Sequence, residues 1–301
     1  MEITDHTITV FQCDADIVKQ IRKQDNYLIR YSDDCPGKEY CAIYFSSNDI
    51  YFPNTETVFQ KRIVEKDFYE WYGTRIQKAH KHIFVRDIFK QWYLAGINEK
   101  INTPELLNDF LRQETEGYKM AAFASIIASF KEGYKIIAVG SSAGAYAAIL
   151  HGSLLGAERV IAFNPQFEIN SLLERSQEAI NPLVFRLKET NTRKYYDIVP
   201  FVNDSVDIFY FYSNQSSWDM EQCRHSEKLK EIRRISFSTA HHGIPFLKVA
   251  LHKVLNLEKN DLEHYAKKVQ SPFIFTVKTV GIKKAVSGFL KQLYEAYKKR
   301  H

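Results

Sequence analysis

The apolar positions of this chain fall into two alternating rhythms. Short runs dense in Val, Ile, Phe and Tyr recur at Thr7–Cys13, Tyr27–Ser32, Tyr40–Ser46, His82–Arg86, Lys135–Val139, Arg159–Phe163, Val206–Ser213 and Arg234–Thr239. Runs of this length and type predict strands, because β-branched and aromatic side chains fit a pleated, buried surface. Between them lie longer stretches with apolar residues three and four apart: Thr55–Tyr72, Pro104–Phe130, Ala143–Leu155, Asp219–Ile232 and Ile244–Leu255. That spacing gathers the apolar residues on one face of a helix. The alternation predicts an α/β fold, an eight-stranded, mostly parallel sheet with helices on both faces. The first three runs are joined by turns too short for a helix, such as Asp33-Asp34-Cys35-Pro36-Gly37. The start of the sheet is therefore expected to be antiparallel.

Two segments break the rhythm. The stretch 164–205, between the sixth and seventh runs, is rich in Asn, Glu and Arg and too long for a plain crossover. A connection of that size predicts a functional cap. After the eighth run a tail carries one more β-rich run, Phe273–Val280, and a final helix. The expected organisation is one domain, residues 1–260, with the cap inserted, and an appendage, residues 261–301.

Composition narrows the class. Hydrophobic residues are 45% and charged residues 26%, typical of a globular chain and against a disordered one. The apolar run Met120 to Phe130 is about half of the ~20 residues that a membrane-spanning helix needs. The first residues, Met1-Glu2-Ile3-Thr4-Asp5, do not resemble a secretory leader. Cys13, Cys35, Cys41 and Cys223 lack metal-ligand spacing and read as reduced cytosolic thiols. A net charge of +5 is too small to imply nucleic acid. No metal and no bound cofactor are expected.

The densest chemical signal is Lys135-Ile136-Ile137-Ala138-Val139-Gly140-Ser141-Ser142-Ala143-Gly144-Ala145-Tyr146. An apolar strand runs into Gly-x-Ser-x-Gly, and a helix of small residues comes next. This is the context of a nucleophile elbow. The serine sits on a sharp turn, and the glycines leave room where strand and helix nearly touch. The helix N-terminus then aims amides and a positive dipole end at a reacting carbonyl. A plain glycine-rich βα turn is the competing reading. A Walker loop is excluded, because no Lys-Ser/Thr succeeds the glycines.

With this elbow the chain resembles the α/β-hydrolase superfamily, over roughly residues 7–256. The elbow comes after the fifth strand, where that family places it. The family's acid comes after strand seven, where Asp219 lies, and its histidine after strand eight, where His241 and His242 lie. The order Ser, Asp, His agrees as well. Three segments are similar to a narrower group of bacterial surface-polysaccharide (capsule) O-acetyltransferases of that fold. They are Ser141–Gly152, Val160–Gln166 and His242–Phe246. The resemblance implies serine-dependent O-acetylation of a surface polysaccharide with acetyl-CoA as acyl donor. Esterase or deacetylase activity at the same triad, or glycan binding without catalysis, are the alternatives.

The resemblance implies a role for each residue. Ser142 is the nucleophile, and it needs a neighbouring base. His242 or His241 is the base, and the freedom of Gly243 favours His242. Asp219 orients the imidazole, against the plainer reading of a helix cap. Asp204 and Asp207 are weaker alternatives. The backbone amides of Ala143 and Ser47 are the expected oxyanion hole. Arg86 and Gln166 are candidate substrate contacts, with an Arg86–Asp87 structural pair as the plainer reading of Arg86. The last helix is basic and amphipathic, which suits either solvent or an anionic membrane surface. The expected partners are a glycan or a small acyl substrate. The expected location is the cytoplasm, with peripheral contact at the inner membrane.

Overall fold

Strands that are apolar on both sides must be covered on both sides. The computed structural model describes residues 15–48, 56–116 and 133–298. Among them, seven strands form one sheet: β1 (Tyr27–Tyr31), β2 (Tyr40–Phe45), β3 (Lys81–Val85), β4 (Lys135–Ser141), β5 (Arg159–Phe163), β6 (Asp207–Ser213) and β7 (Arg233–Phe237). Their order is β1-β3-β2-β4-β5-β6-β7. The expected first strand, Thr7–Cys13, lies outside the described residues, and the sheet has seven strands among the described ones. The fold is α/β, a mostly parallel sheet with helices on both faces.

The two-residue period of the strands sorts the core. In β2, Cys41, Ile43 and Phe45 face one side, and Ala42 and Tyr44 the other. In β4, Ile136 and Ala138 join the first side, and Ile137 and Val139 the second. Eleven α-helices, with a few shorter helical turns, complete the described residues. They are α1 (Asp16–Arg22), α2 (Glu56–Phe59), α3 (Pro104–Glu116), α4 (Ala143–Leu154), α5 (Leu172–Arg175), α6 (Pro182–Arg186), α7 (Ser217–His225), α8 (Leu251–Leu255), α9 (Lys259–Tyr265), α10 (Pro272–Val280) and α11 (Ile282–Lys298). Residues of α3 and α4 cover the first face, and residues of α8, α9 and α10 cover the second.

Three expectations are corrected. β1 does run antiparallel, but it pairs with β3, which inserts between β1 and β2 and lies parallel to β2. The Thr55–Tyr72 helix is cut short. α2 passes into a π-helical turn, Gln60–Glu65, and the chain then reverses with Asp67 at φ 45°. The β-rich run Phe273–Val280 is helical, as α10. Pro272 opens it at a position where its missing N–H costs nothing, and Gly281, at φ 83°, ends it. The Thr276 and Thr279 hydroxyls donate to Pro272 and Phe275 carbonyls four residues back. Phe275 packs on Phe237, Phe246 and Tyr265. Burial at helical spacing overrides β-branched composition here.

The insertion 164–205 is anchored in the core rather than hinged above it. Phe167, Ile169, Val184, Tyr196 and Ile198 are buried with the face that holds α4. The Tyr146 hydroxyl of α4 donates to the Tyr195 carbonyl. The carboxyl ends of β2, β4, β5, β6 and β7 all lie at one edge, the side of an open α/β sheet where ligands bind.

Candidate active site

Ser142 is the residue between β4 and α4. Its backbone sits at φ 53°, ψ −122°, outside the ordinary regions for an L-residue. Two glycines make this turn fit. A Cβ on Gly140 would lie 2.1 Å from the Gly144 carbonyl oxygen, and one on Gly144 would lie 2.3 Å from that of Phe45. The Ser142 amide is tied to the Phe163 carbonyl at 2.8 Å, which fixes the turn against β5. The Ala143 amide opens α4, where a helix N–H has no intrahelical acceptor.

The structure brings Ser142, His242 and Asp219 together. Ser142 Oγ lies 2.9 Å from His242 Nε2. His242 Nδ1 lies 2.7 Å from Asp219 Oδ1. Asp219 is fully buried in the first turn of α7, where a helix N-terminus favours a carboxylate. Its Oδ2 has no hydrogen-bond partner among the described residues, so the imidazole is the main compensation for its burial. The cap of α7 is Ser216, whose hydroxyl accepts from the Asp219 amide at 3.3 Å. Asp219 is thus released from capping.

Of the two histidines, it is the His242 ring that bonds Ser142 Oγ, while His241 is tied through its backbone. Its carbonyl accepts from the Ser213 hydroxyl at 2.6 Å, which holds the loop to the end of β6. Asn164 completes this clamp from the end of β5. Its side chain donates to the Gly243 carbonyl at 2.7 Å and accepts from the Ser213 amide at 3.0 Å. Asn164 is fully buried at φ 44°, a conformation asparagine tolerates better than most residues. Asp207 starts β6, away from Ser213, and pairs with Lys259 at 2.6 Å and Arg233 at 3.0 Å.

Gln166 lies beside the serine. The Trp92 indole N–H donates to its Oε1 at 3.1 Å. An indole nitrogen only donates, so the glutamine oxygen must face it. The Gln166 NH2 is thereby turned to Ser142 Oγ, at 3.5 Å, and to the Asn164 carbonyl, at 3.4 Å. Trp92 itself sits at φ 55° in a loop tied to the Asp87 carboxylate, which accepts from the amides of Phe89, Gln91 and Tyr93.

Arg86 is not at the site, and Asp87 is not its partner. Its buried guanidinium pairs with Asp67 at 2.8 Å, donates to Asn26 at 3.1 Å and lies over the Tyr69 ring. The Asp87 carboxylate is committed to backbone amides, so Arg86 pairs instead with the reversed segment after the π-helical turn.

Ser47 lies in the cleft, but its amide is not open. It donates to Glu70 Oε2 at 2.5 Å. Glu70 is positioned by Trp71, whose indole N–H donates to the Phe45 carbonyl at 3.0 Å. A carboxylate oxygen therefore occupies the donor expected to serve an oxyanion. The cleft has a volume of about 720 Å³ and is lined in part by Ser47, Arg62, Glu70, Ser141 and His242. Glu70 and Trp92 carry no local sequence signal, because their partners are distant in the chain.

The arrangement supports nucleophilic acyl chemistry, either transfer or ester hydrolysis. A base touches the hydroxyl, a buried acid touches the base, and helix amides lie behind the serine.

No family model matches the chain, and no curated protein matches it. Among solved structures, the chain is similar to the capsule O-acetyltransferase of Neisseria meningitidis serogroup A. The TM-score is 0.46 at 13% identity, over 71% of this chain and 83% of that one. A mutant of that enzyme in complex with CoA gives 0.45 at 14%, over 81% and 90%. A fungal esterase from Rhizomucor miehei gives 0.41 at 12%, over 85% and 80%. These likenesses assign neither a substrate nor a site residue to this chain.

Proposed function

We propose that this protein is a serine acyltransferase that moves an acetyl group from acetyl-CoA to a hydroxyl of a bacterial surface polysaccharide. The observation that carries the reading is the unbroken contact Asp219–His242–Ser142, at 2.7 and 2.9 Å. In this reading His242 Nε2 takes the Ser142 proton as Oγ attacks the thioester carbonyl. The thiol of CoA leaves with a proton from His242, and an acetyl-serine remains. His242 then takes the proton of the acceptor hydroxyl, which attacks the acetyl group, and hands that proton to Ser142 Oγ as it leaves. Asp219 holds the imidazole with Nδ1 protonated and stabilises its charged form. The Ala143 amide and, once Glu70 has moved, the Ser47 amide donate to the tetrahedral oxygen.

The choice of acceptor rests on the three segments that resemble capsule O-acetyltransferases. All three contribute to this one site: Ser142 from the first, Asn164 and Gln166 from the second, His242 and Gly243 from the third. Hydrolysis is the second reading, favoured by the His242 side chain, which is 38% exposed and open to water. The test is release of CoA from acetyl-CoA with and without bacterial capsular polysaccharide. Release that depends on polysaccharide, with acetyl appearing on it, supports transfer. Equal release in both supports hydrolysis. No release, together with no cleavage of simple acetyl esters, removes the reading.

A further inference from the structure

The catalytic cleft does not end at the triad. Lys248 and Gln292 line it on one side, and both also line a second groove of about 570 Å³. That groove is bordered by Lys248, Lys283, Lys284, Lys291 and one acid, Glu295. Four lysines against one glutamate leave three positive charges in excess. Lys291 reaches Glu295 only at 4.0 Å, an exposed pair of small worth.

The groove is a consequence of how α11 packs. A Cβ on Gly288 would lie 2.6 Å from the Val249 side chain. Glycine at this position lets α11 lie against the 248–250 turn, with Lys248 beside the lysines of the helix. Lys284, Lys291 and Lys298 recur every seven residues, which places them in one line along the helix. Ile282, Val286, Leu293 and Tyr297 form another line, exposed on a different face. Lys284 and Lys291 border the groove, while Lys283 also lines a neighbouring apolar groove with Ile282, Val286 and Leu290.

We propose that this lysine groove binds the phosphate groups of a substrate whose reacting end lies at Ser142. Lysine ammoniums from two elements act as mobile point charges, which suits a multiply charged phosphate better than a single planar carboxylate. The phosphates have two sources: the nucleotide end of an acyl-CoA donor, or phosphodiesters of an acceptor polymer. The proposal rests on the acyl-transfer reading for what the ligand is used for, but not for its binding.

Binding is measured on the Ser142→Ala protein, so turnover plays no part. The probes are coenzyme A, adenosine 3′,5′-bisphosphate and a phosphodiester-linked oligosaccharide, titrated calorimetrically. Added Lys284→Ala and Lys291→Ala changes are expected to weaken at least one probe by about tenfold or more. Lys284→Arg with Lys291→Arg is expected to keep affinity within about threefold, since the charge is kept. Melting temperatures of both variants check the fold. Loss for coenzyme A and the bisphosphate identifies the donor, and loss for the oligosaccharide identifies the acceptor. Unchanged affinity for all three probes overturns the proposal. So does equal loss in the arginine variant, which would mean packing rather than charge. Weakened binding to phosphatidylglycerol vesicles with unchanged soluble probes also overturns it, and would make this face a membrane contact. Absence of acetyl transfer by the wild type would remove the catalytic reading and leave this binding result standing.

Discussion

His242 and His241 are adjacent in the chain and differ in what they touch. His242 contacts Ser142 and Asp219, while the carbonyl of His241 ties the loop to Ser213. His242→Ala is expected to lower acetyl-ester turnover by orders of magnitude, within the range of about 10²–10⁴ for general base catalysis. His241→Ala is expected to cost far less, and steady-state kinetics with 4-nitrophenyl acetate will rank the two. Asp219→Asn separates orientation from capping. Asparagine loses the charge that favours the imidazolium, and in a well-studied triad the same change costs about 10⁴ in turnover. A loss of at least about tenfold is expected here, with the melting temperature nearly unchanged because Ser216 caps α7. Near-normal turnover would remove Asp219 from the mechanism. Ser142 is legible in the sequence because Gly140, Ser142 and Gly144 sit within five residues and strand–helix context surrounds them. Choosing between the two histidines needs coordinates, since a loop's direction depends on distant clamps such as Asn164. The Trp92–Gln166 contact joins residues 74 apart, and no local pattern announces it.

The segment between α2 and β3 shows how an element can both build a site and block it. Its π-helical turn, the reversal at Asp67 and Trp71 at φ 71° bring Glu70 to the Ser47 amide. π-helical turns recur near functional sites, and an extra residue in such a turn re-aims the chain beyond it. Glu70→Ala is expected to raise turnover of a neutral acetyl ester, because it frees the amide. One oxyanion donor is worth about 10²–10³ in turnover, which sets the ceiling for the gain. Unchanged or lower turnover would take Ser47 out of the oxyanion hole. The central strands are legible from residue type because their burial on both faces leaves an uninterrupted apolar run. The pairing of β1 with β3 is not, since strand order depends on which edge a crossover returns to. The helix α10 hides behind β-branched residues for a related reason: Phe275, Thr276 and Thr279 are buried by tertiary packing that composition does not encode.

Across the whole molecule, two buried histidines make stability depend on pH. His151, in α4, stacks on Phe45, and neither ring nitrogen has a partner among the described residues. Burial holds its pKa down at about 3, from 6.5. Burial also lowers His82 to about 4, although its Nδ1 meets the Tyr44 hydroxyl. The unfolded chain takes up protons at both sites below about pH 6.5, while the folded chain does not until about pH 4 or lower. The stability tied to their neutral state is therefore complete above pH 6.5 and is lost as pH falls towards 4. His151→Leu should flatten this fall in a series of thermal melts, and an unchanged slope would contradict it. No helix among the described residues is long and apolar enough to cross a membrane. In the proposed reaction Ser142 carries the acyl group. Rapid quenching after mixing with acetyl-CoA, followed by peptide mass spectrometry, tests it most directly. One acetyl group is expected on Ser142 in the wild type and none in Ser142→Ala. An acetyl group on another residue, or transfer that persists in Ser142→Ala, would contradict it.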